Sequence, residues 1–261
     1  MLNLQPYQNP TYFGYLAVAL LPIMIGILYG RRFRWYETLV TLAFLVLTFG
    51  GDKWWQGLML ICYIIYEMIL TFGYFNYRKK KNSGVIFVLA VILSILPLVI
   101  VKITPAIDAG KESIIGFLGI SYLTFKTVGM IMEIRDGIIK ELGLWETLHF
   151  LLFFLTISSG PIDRFRRFKK DYDAVPERDK YLSLLEKGVH YIFLGFLYKF
   201  LLAYFWGSYL LPIVRIHALG HGGISWWLVA YTYVYSMDLF FDFAGYSLFA
   251  VGTSYIMGYE T

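Results

Sequence analysis

A chain of 261 residues that is 58% hydrophobic and only 16% charged, with a mean hydropathy of +0.60, is too apolar for a water-soluble domain, where apolar residues make up about 45–50%. The net charge of +5 comes from lysines and arginines at the ends of apolar runs, a pattern that reports membrane topology and gives no reason to expect nucleic acid. A lone cysteine, Cys62, excludes an internal disulfide and reads as apolar filler within its run.

About 20 apolar residues cross a hydrocarbon core as a helix. Met1–Thr11 lacks the basic start of a signal peptide. Tyr12–Tyr29, Trp35–Gly50, Trp54–Phe75 and Val85–Val101 then follow as candidate spans. Arg31, Arg32 and Arg34 come after the first of these, and Arg78, Lys79, Lys80 and Lys81 after the third. Gly51–Lys53 and Lys102–Glu112 are near neutral. Basic loops stay in the cytoplasm, so the N-terminus is expected outside the cell membrane. Ser113–Arg135 then descends from outside.

A third basic cluster, Arg164, Arg166, Arg167, Lys169 and Lys170, also belongs inside. Leu144–Pro161 must therefore dip into the membrane and return as a re-entrant segment. Gly160–Pro161 supplies the helix break. Non-helical backbone at that depth survives only under a cover of protein. Tyr181–Leu211 rises outward and Trp226–Met257 returns, which leaves residue 261 near the cytoplasmic side. The fold class is all-α, a polytopic integral membrane protein.

Ionisable residues inside spans are costly and face a bundle interior or a wet cavity. Lys126 and Glu133, seven residues apart, share one helix face, and either could instead snorkel to a headgroup. Glu67 reads as an interhelical hydrogen-bonding group. Asp238 and Asp242 lie one helical turn apart on the stripe that carries Tyr231, Tyr235 and Gly245. They suit a proton relay, an ion site or, as the better reading, a clamp between helices.

Asp163 is placed to cap a basic amphipathic helix whose Phe165, Phe168 and Tyr172 form one face. Such a helix lies in the interface, draws anionic lipid and suits an acidic cytoplasmic partner. His149 falls in the re-entrant segment and His190 begins a span. His217-x-x-x-His221 has helical metal spacing, but Gly220, Gly222 and Gly223 argue for a loop, so no metal site is expected. Phosphate-loop, dinucleotide and nucleophile-elbow patterns are missing.

Three blocks of sequence carry a resemblance: Ser121-Tyr-Leu-Thr-Phe-Lys-Thr127, Ser158-Ser-Gly-Pro-Ile-Asp-Arg-Phe-Arg-Arg-Phe168 and Phe240-Phe-Asp-Phe-Ala-Gly-Tyr-Ser247. Together with the opening Asn3–Phe13 they resemble the membrane-bound O-acyltransferase (MBOAT) family, in its teichoic acid D-alanylating branch. The likeness runs along the whole chain, residues 1–261, as the N-terminal portion of a single domain.

The resemblance implies a helix ring around a thin, tunnelled centre. It implies a donor, D-alanine held as a thioester on the phosphopantetheine arm of an acidic D-alanyl carrier protein. The acceptor is lipoteichoic acid outside the cell, with other D-alanylation membrane proteins as partners and no cofactor bound by the chain itself. The family's catalytic histidine follows the Phe-Asp-Phe block in a later segment, and none of the four histidines here matches it. The chain is therefore expected to be incomplete at its C-terminus, with no catalytic residue of its own, and inactive alone. Asp238 and Asp242 would support that histidine, Lys126 would line the passage, and Arg164, Arg166 and Arg167 would meet lipid or carrier. A transporter or channel, or a scaffold subunit of a cell-envelope complex, is the alternative, though the two halves show no inverted repeat.

Overall fold

A computed structural model describes residues 4–107, 110, 113–221 and 225–260. Asn3, Glu112, Gly222, Gly223 and Thr261, which carry some of the expectations above, lie outside the described residues. The order is α1 (Pro10–Leu28), α2 (Arg34–Phe49), α3 (Trp54–Lys80), α4 (Gly84–Ile107), α5 (Ile120–Arg135), α6 (Leu144–Leu152), α7 (Phe165–Asp173), α8 (Arg178–Phe196), α9 (Leu211–His221) and α10 (Trp226–Ile256). Among the described residues there is no strand.

Five helical stretches are long and apolar enough to cross a membrane: Pro10–Leu28, Gly51–Lys80, Gly84–Ile107, Arg178–Gly220 and Trp226–Ile256. The chain is a multi-pass membrane protein. Its helices are patterned for lipid. α4 turns Val85, Leu89, Ile92 and Leu96 outward and buries Ala90 and Ser94. Small and polar residues at helix contacts, with aliphatic residues outside, are what packing in lipid selects. Ser94 Oγ donates to the Glu67 carboxylate at 3.0 Å, so Glu67 joins α3 to α4.

Two expectations about boundaries change. The segment after Tyr181–Leu211 is no loop: the helix runs on through π-helical turns, Leu197–Leu202 and Tyr204–Leu210, into α9, which contains His217. Of the glycines that argued for a loop, Gly220 lies within α9, and Gly222 and Gly223 lie outside the described residues. The descending segment Ser113–Arg135 is helical only from Ile120, because Gly119 adopts φ +96° just before it.

α8 and α10 pack backbone to backbone through glycines. A Cβ on Gly188 would lie 2.7 Å from the Gly252 carbonyl oxygen, and one on Gly252 equally close to the Gly188 oxygen. One helix interval away, a Cβ on Gly195 would meet the Phe249 ring at 2.9 Å. Gly252→Ala should therefore push the helices apart at a cost of about 2 kcal/mol, the usual scale of overpacking. A thermal-unfolding series in detergent should show it as a clear fall in midpoint, and an unchanged midpoint would contradict the close crossing.

Candidate functional site

The centre of the molecule is the bend between α6 and α7. α6 stops where Phe153 leaves helical geometry (φ −53°, ψ 100°), and a short 3-10 turn, Phe154–Thr156, follows. Gly160 then takes φ +94°, with Pro161 after it. The local sequence Ser158-Ser-Gly-Pro161 forbids a continuous helix here. Phe153, Phe154, Leu155, Thr156 and Ile157 are all buried, so the broken backbone is wrapped in protein. That is the condition for irregular backbone at membrane depth.

A helix that ends inside a membrane leaves carbonyl oxygens without partners. Lys126 supplies the missing donor. Its ammonium, fully buried on α5, donates to the Phe150 carbonyl at 3.1 Å and to Thr156 Oγ1 at 2.8 Å. A cation at a helix C-terminus also complements the helix dipole. Tyr7 OH donates to the Leu155 carbonyl at 3.4 Å from the N-terminal segment. Lys126 therefore faces the bend and lines neither of the two cavities described next. Its two contacts, the Phe150 carbonyl and Thr156 Oγ1, give Lys126 a structural role at the bend.

A cavity of about 840 Å³ reaches the bend at Ser158 and Ser159, and its other walls include Lys53, Lys102, Phe117 and Asp242. A smaller pocket of about 120 Å³ approaches from the opposite end, walled by Glu37, Thr38, His149, Phe153 and Tyr259. The segment Phe153–Ser159 stands between them.

Asp242 forms an ion pair with Lys199 at 2.5 Å, and that ammonium sits 3.6 Å from the centre of the Tyr246 ring. Lys199 lies in the first π-helical turn, and such irregular turns cluster at functional sites. Asp238 makes no hydrogen bond or ion pair with Lys199. It packs at Gly207, where a Cβ would fall 2.2 Å from its Oδ1, so only glycine lets the carboxylate reach the neighbouring helix. The two aspartates share a stripe but clamp different places.

The basic helix α7 corrects the interfacial reading. Phe165, Phe168 and Tyr172 are buried in protein, with Phe168 stacked on Tyr259 at 5.2 Å and set against Phe150 and Phe153. The amphipathic pattern was right, but protein covers the apolar face where lipid was expected. Arg166 pairs with Glu133 at 3.4 Å and Arg167 with Asp163 at 2.6 Å, while Arg164 stays exposed. Asp163 precedes the N-cap position, which is Arg164. It accepts from the Arg164 amide at 2.6 Å and from the Arg167 side chain one turn on, in place of the expected cap. Burial pushes the Asp163 carboxyl up, and the Arg167 guanidinium opposes that.

A cluster at the smaller pocket was not anticipated. Arg32 is buried and donates to the carbonyls of Asp171, Met257 and Gly258. It pairs with Glu37 at 3.4 Å and lies over the Tyr259 ring. Tyr259 OH donates to Glu37 Oε2 at 2.8 Å. His149 Nε2 shares a hydrogen bond with Thr38 Oγ1 at 2.9 Å, which places this histidine in the pocket wall. Sequence alone marked Arg32 as a topology signal; the carbonyls it holds lie more than a hundred residues away. His217 stacks on Trp227 at 4.4 Å, and among the described residues no group of three or more histidine, cysteine or acidic side chains could hold a metal ion.

No family model matches the chain. Curated relatives do. Teichoic acid D-alanyltransferase of Lacticaseibacillus rhamnosus is 55% identical over the whole chain, which spans 66% of that protein. The protein of the same name from Streptococcus thermophilus is 50% identical over 99% of the chain and 62% of its own length. That from Bacillus subtilis is 47% identical over 98% of the chain and 65% of its own length. The chain thus spans less than two thirds of these relatives.

Proposed function

Because the chain belongs to the membrane-bound O-acyltransferase family, beside the teichoic acid D-alanyltransferases, we propose that it forms part of an enzyme that carries D-alanine across the cell membrane. The donor is D-alanine on the phosphopantetheine thiol of an acidic carrier protein, and the acceptor is a hydroxyl of lipoteichoic acid. The thioester C–S bond breaks, an ester C–O bond forms, and the thiol stays on the carrier. The observation that supports this reading is the pair of cavities that reach the two ends of one bent segment, the smaller at Phe153 and the larger at Ser158 and Ser159. A short septum lets a long, thin donor arm and an outer hydroxyl meet where water is excluded.

In this reading the N-terminus lies outside and residue 261 near the cytoplasm, following the basic loops at Arg31–Arg34 and Arg78–Lys81. The exposed Arg164 and the neighbouring basic residues offer the inner face an acidic carrier prefers, or meet anionic lipid. Residues 1–261 act in support. Lys126 holds the bend, Asp238 and Asp242 fix α10, and the base that removes the hydroxyl proton is assigned to residues outside this stretch. Other D-alanylation membrane proteins would complete the assembly, and the chain needs no cofactor of its own.

The test uses protein expressed from its intact gene and sealed in vesicles, with D-alanyl carrier on one side and lipoteichoic acid on the other. Transfer to the acceptor is expected; its absence with active carrier present would overturn the reading. Asp242→Ala should reduce transfer roughly tenfold or more, because it strands Lys199 within a span. Asp242 is half exposed, so the loss should fall short of that for a fully buried pair. Unchanged transfer in the variant would remove Asp242 from the site.

A further inference from the structure

Away from both cavities, the basic end of α3 forms a corner with α4 and α5, which pack against it and against each other. Arg78, in the last turn of α3, donates from Nε to the Arg135 carbonyl at 3.0 Å. Arg135 ends α5 and lays its guanidinium over the Phe87 ring of α4, 4.1 Å from the ring centre. The Tyr74 ring of α3 meets the same Phe87 ring, with centres 6.4 Å apart. α4 begins at Gly84, so the positive end of its dipole falls at this corner too. Among the described residues no acidic side chain forms an ion pair with Arg78 or Arg135, although Asp136 follows directly in sequence.

A second observation points to a ligand. Tyr74 is 4% exposed, and its hydroxyl has no hydrogen-bond partner. Native proteins seldom keep a buried hydroxyl bare without a bound group to meet it. Arg135 and Arg78 are the cations whose charge reaches that hydroxyl, and Asp136 is the acid. One donor hydroxyl beside two guanidinium forks suits an anion with several acceptor oxygens, and phosphate has that geometry. The surroundings say what carries the phosphate. Just beyond the corner, α4 exposes Val85, Val88 and Leu89, a surface for lipid tails. A phosphate joined to acyl chains meets both the arginines and these aliphatic side chains, whereas a free phosphate meets only the arginines.

We propose that the corner of α3, α4 and α5 binds the headgroup phosphate of an anionic phospholipid, held by Arg78 and Arg135 and met by the Tyr74 hydroxyl. Arg135 is exposed, so its side chain can turn from the Phe87 ring to admit the phosphate. Basic residues between helix ends at a membrane surface are suited to such headgroups. The site needs only that the chain spans a membrane, and it stands apart from the acyl-transfer reading.

The probe is phosphatidylglycerol, titrated by native mass spectrometry against protein expressed from its intact gene and held in detergent. Phosphatidylcholine with the same acyl chains is the control. Phosphatidylglycerol is expected to fill one site in preference, and less tightly as ammonium acetate is raised. Arg135→Gln alters an exposed side chain and should weaken that site roughly fivefold, the scale of one partly exposed charge contact. Arg135→Lys should recover part of the loss. Tyr74→Phe separates a ligand contact from a structural one. In phosphatidylcholine the variant should be at least as stable as wild type, because a bare hydroxyl is gone. It should also lose part of the rise in unfolding midpoint that phosphatidylglycerol brings to wild type. A full rise in Tyr74→Phe, or undiminished binding by Arg135→Gln, would overturn the proposal. So would inorganic phosphate binding as tightly as the lipid, which would make this a free-anion site. Loss of carrier-protein binding in Arg135→Gln with the lipid response intact would also overturn it and give the corner to a protein partner.

Discussion

Gly119→Ala is expected to give the largest loss of stability of any single methyl group in the protein. Gly119 caps α5 with φ +96°, and a Cβ built there would stand 2.2 Å from the Ile157 carbonyl oxygen. The left-handed backbone alone costs an L-residue about 1–2 kcal/mol. Relieving the overlap adds about 1–3 kcal/mol more, because the obstacle is backbone in the bend and no flexible side chain can yield. Together these approach half of the about 5–15 kcal/mol that holds a typical domain. Detergent-purified variant should unfold at a much lower temperature, or fail to accumulate at all. Gly129→Ala is the control: its Cβ meets nothing within 4 Å, and helix propensity should make that change neutral or stabilising. Equal midpoints for the two variants would contradict the contact between Gly119 and the bend.

Lys126→Met should have the next largest effect. The substitution keeps the length of the side chain and removes its donors. The Phe150 carbonyl and Thr156 Oγ1, both buried, lose the ammonium that bridges them. Each orphaned group costs about 1–3 kcal/mol, partly offset because a buried charge disappears with the side chain. A net loss of about 2 kcal/mol is expected, concentrated in the segment from Phe150 to Ile157. Hydrogen–deuterium exchange should localise it: amides after Phe153 should exchange faster in the variant, while those of α4 stay unchanged. Uniform exchange, or none beyond wild type, would show that Lys126 does not hold the bend. Thr156→Val in the same background should add little, since the pair acts as one unit.

The spans were legible because hydropathy is a local property. Pro10–Leu28, Trp54–Lys80, Gly84–Ile107 and Trp226–Ile256 lie within a few residues of the apolar runs that announced them. The bend was legible for the same reason, since Gly160–Pro161 forbids a helix on local grounds. What a side chain touches was not. The stripe Phe165, Phe168 and Tyr172 shows that one face of α7 is apolar, but a lipid tail and the ring of Tyr259 satisfy that pattern equally well. Lys126 was marked as costly, and its partners Phe150 and Thr156 carry no sequence signal because one of them offers only a backbone oxygen. Lys199, alone in an apolar run, carries the same local signal as Asp242, its partner forty-three residues away. The clasp of Arg32, Glu37 and Tyr259 spans more than two hundred residues and has no local signature.

Accessibility from the two sides of the membrane tests the central claim most directly. Cys62, the one cysteine of residues 1–261, is first replaced by alanine, together with any cysteine elsewhere in the protein expressed from its intact gene. Single cysteines are then placed at Ser158, on the larger cavity, and at Thr41, on the smaller pocket. A membrane-impermeant maleimide added to intact cells should label Ser158→Cys and leave Thr41→Cys untouched until the membrane is opened. Labelling of both from the same side would contradict the account, because the segment Phe153–Ser159 would then divide nothing.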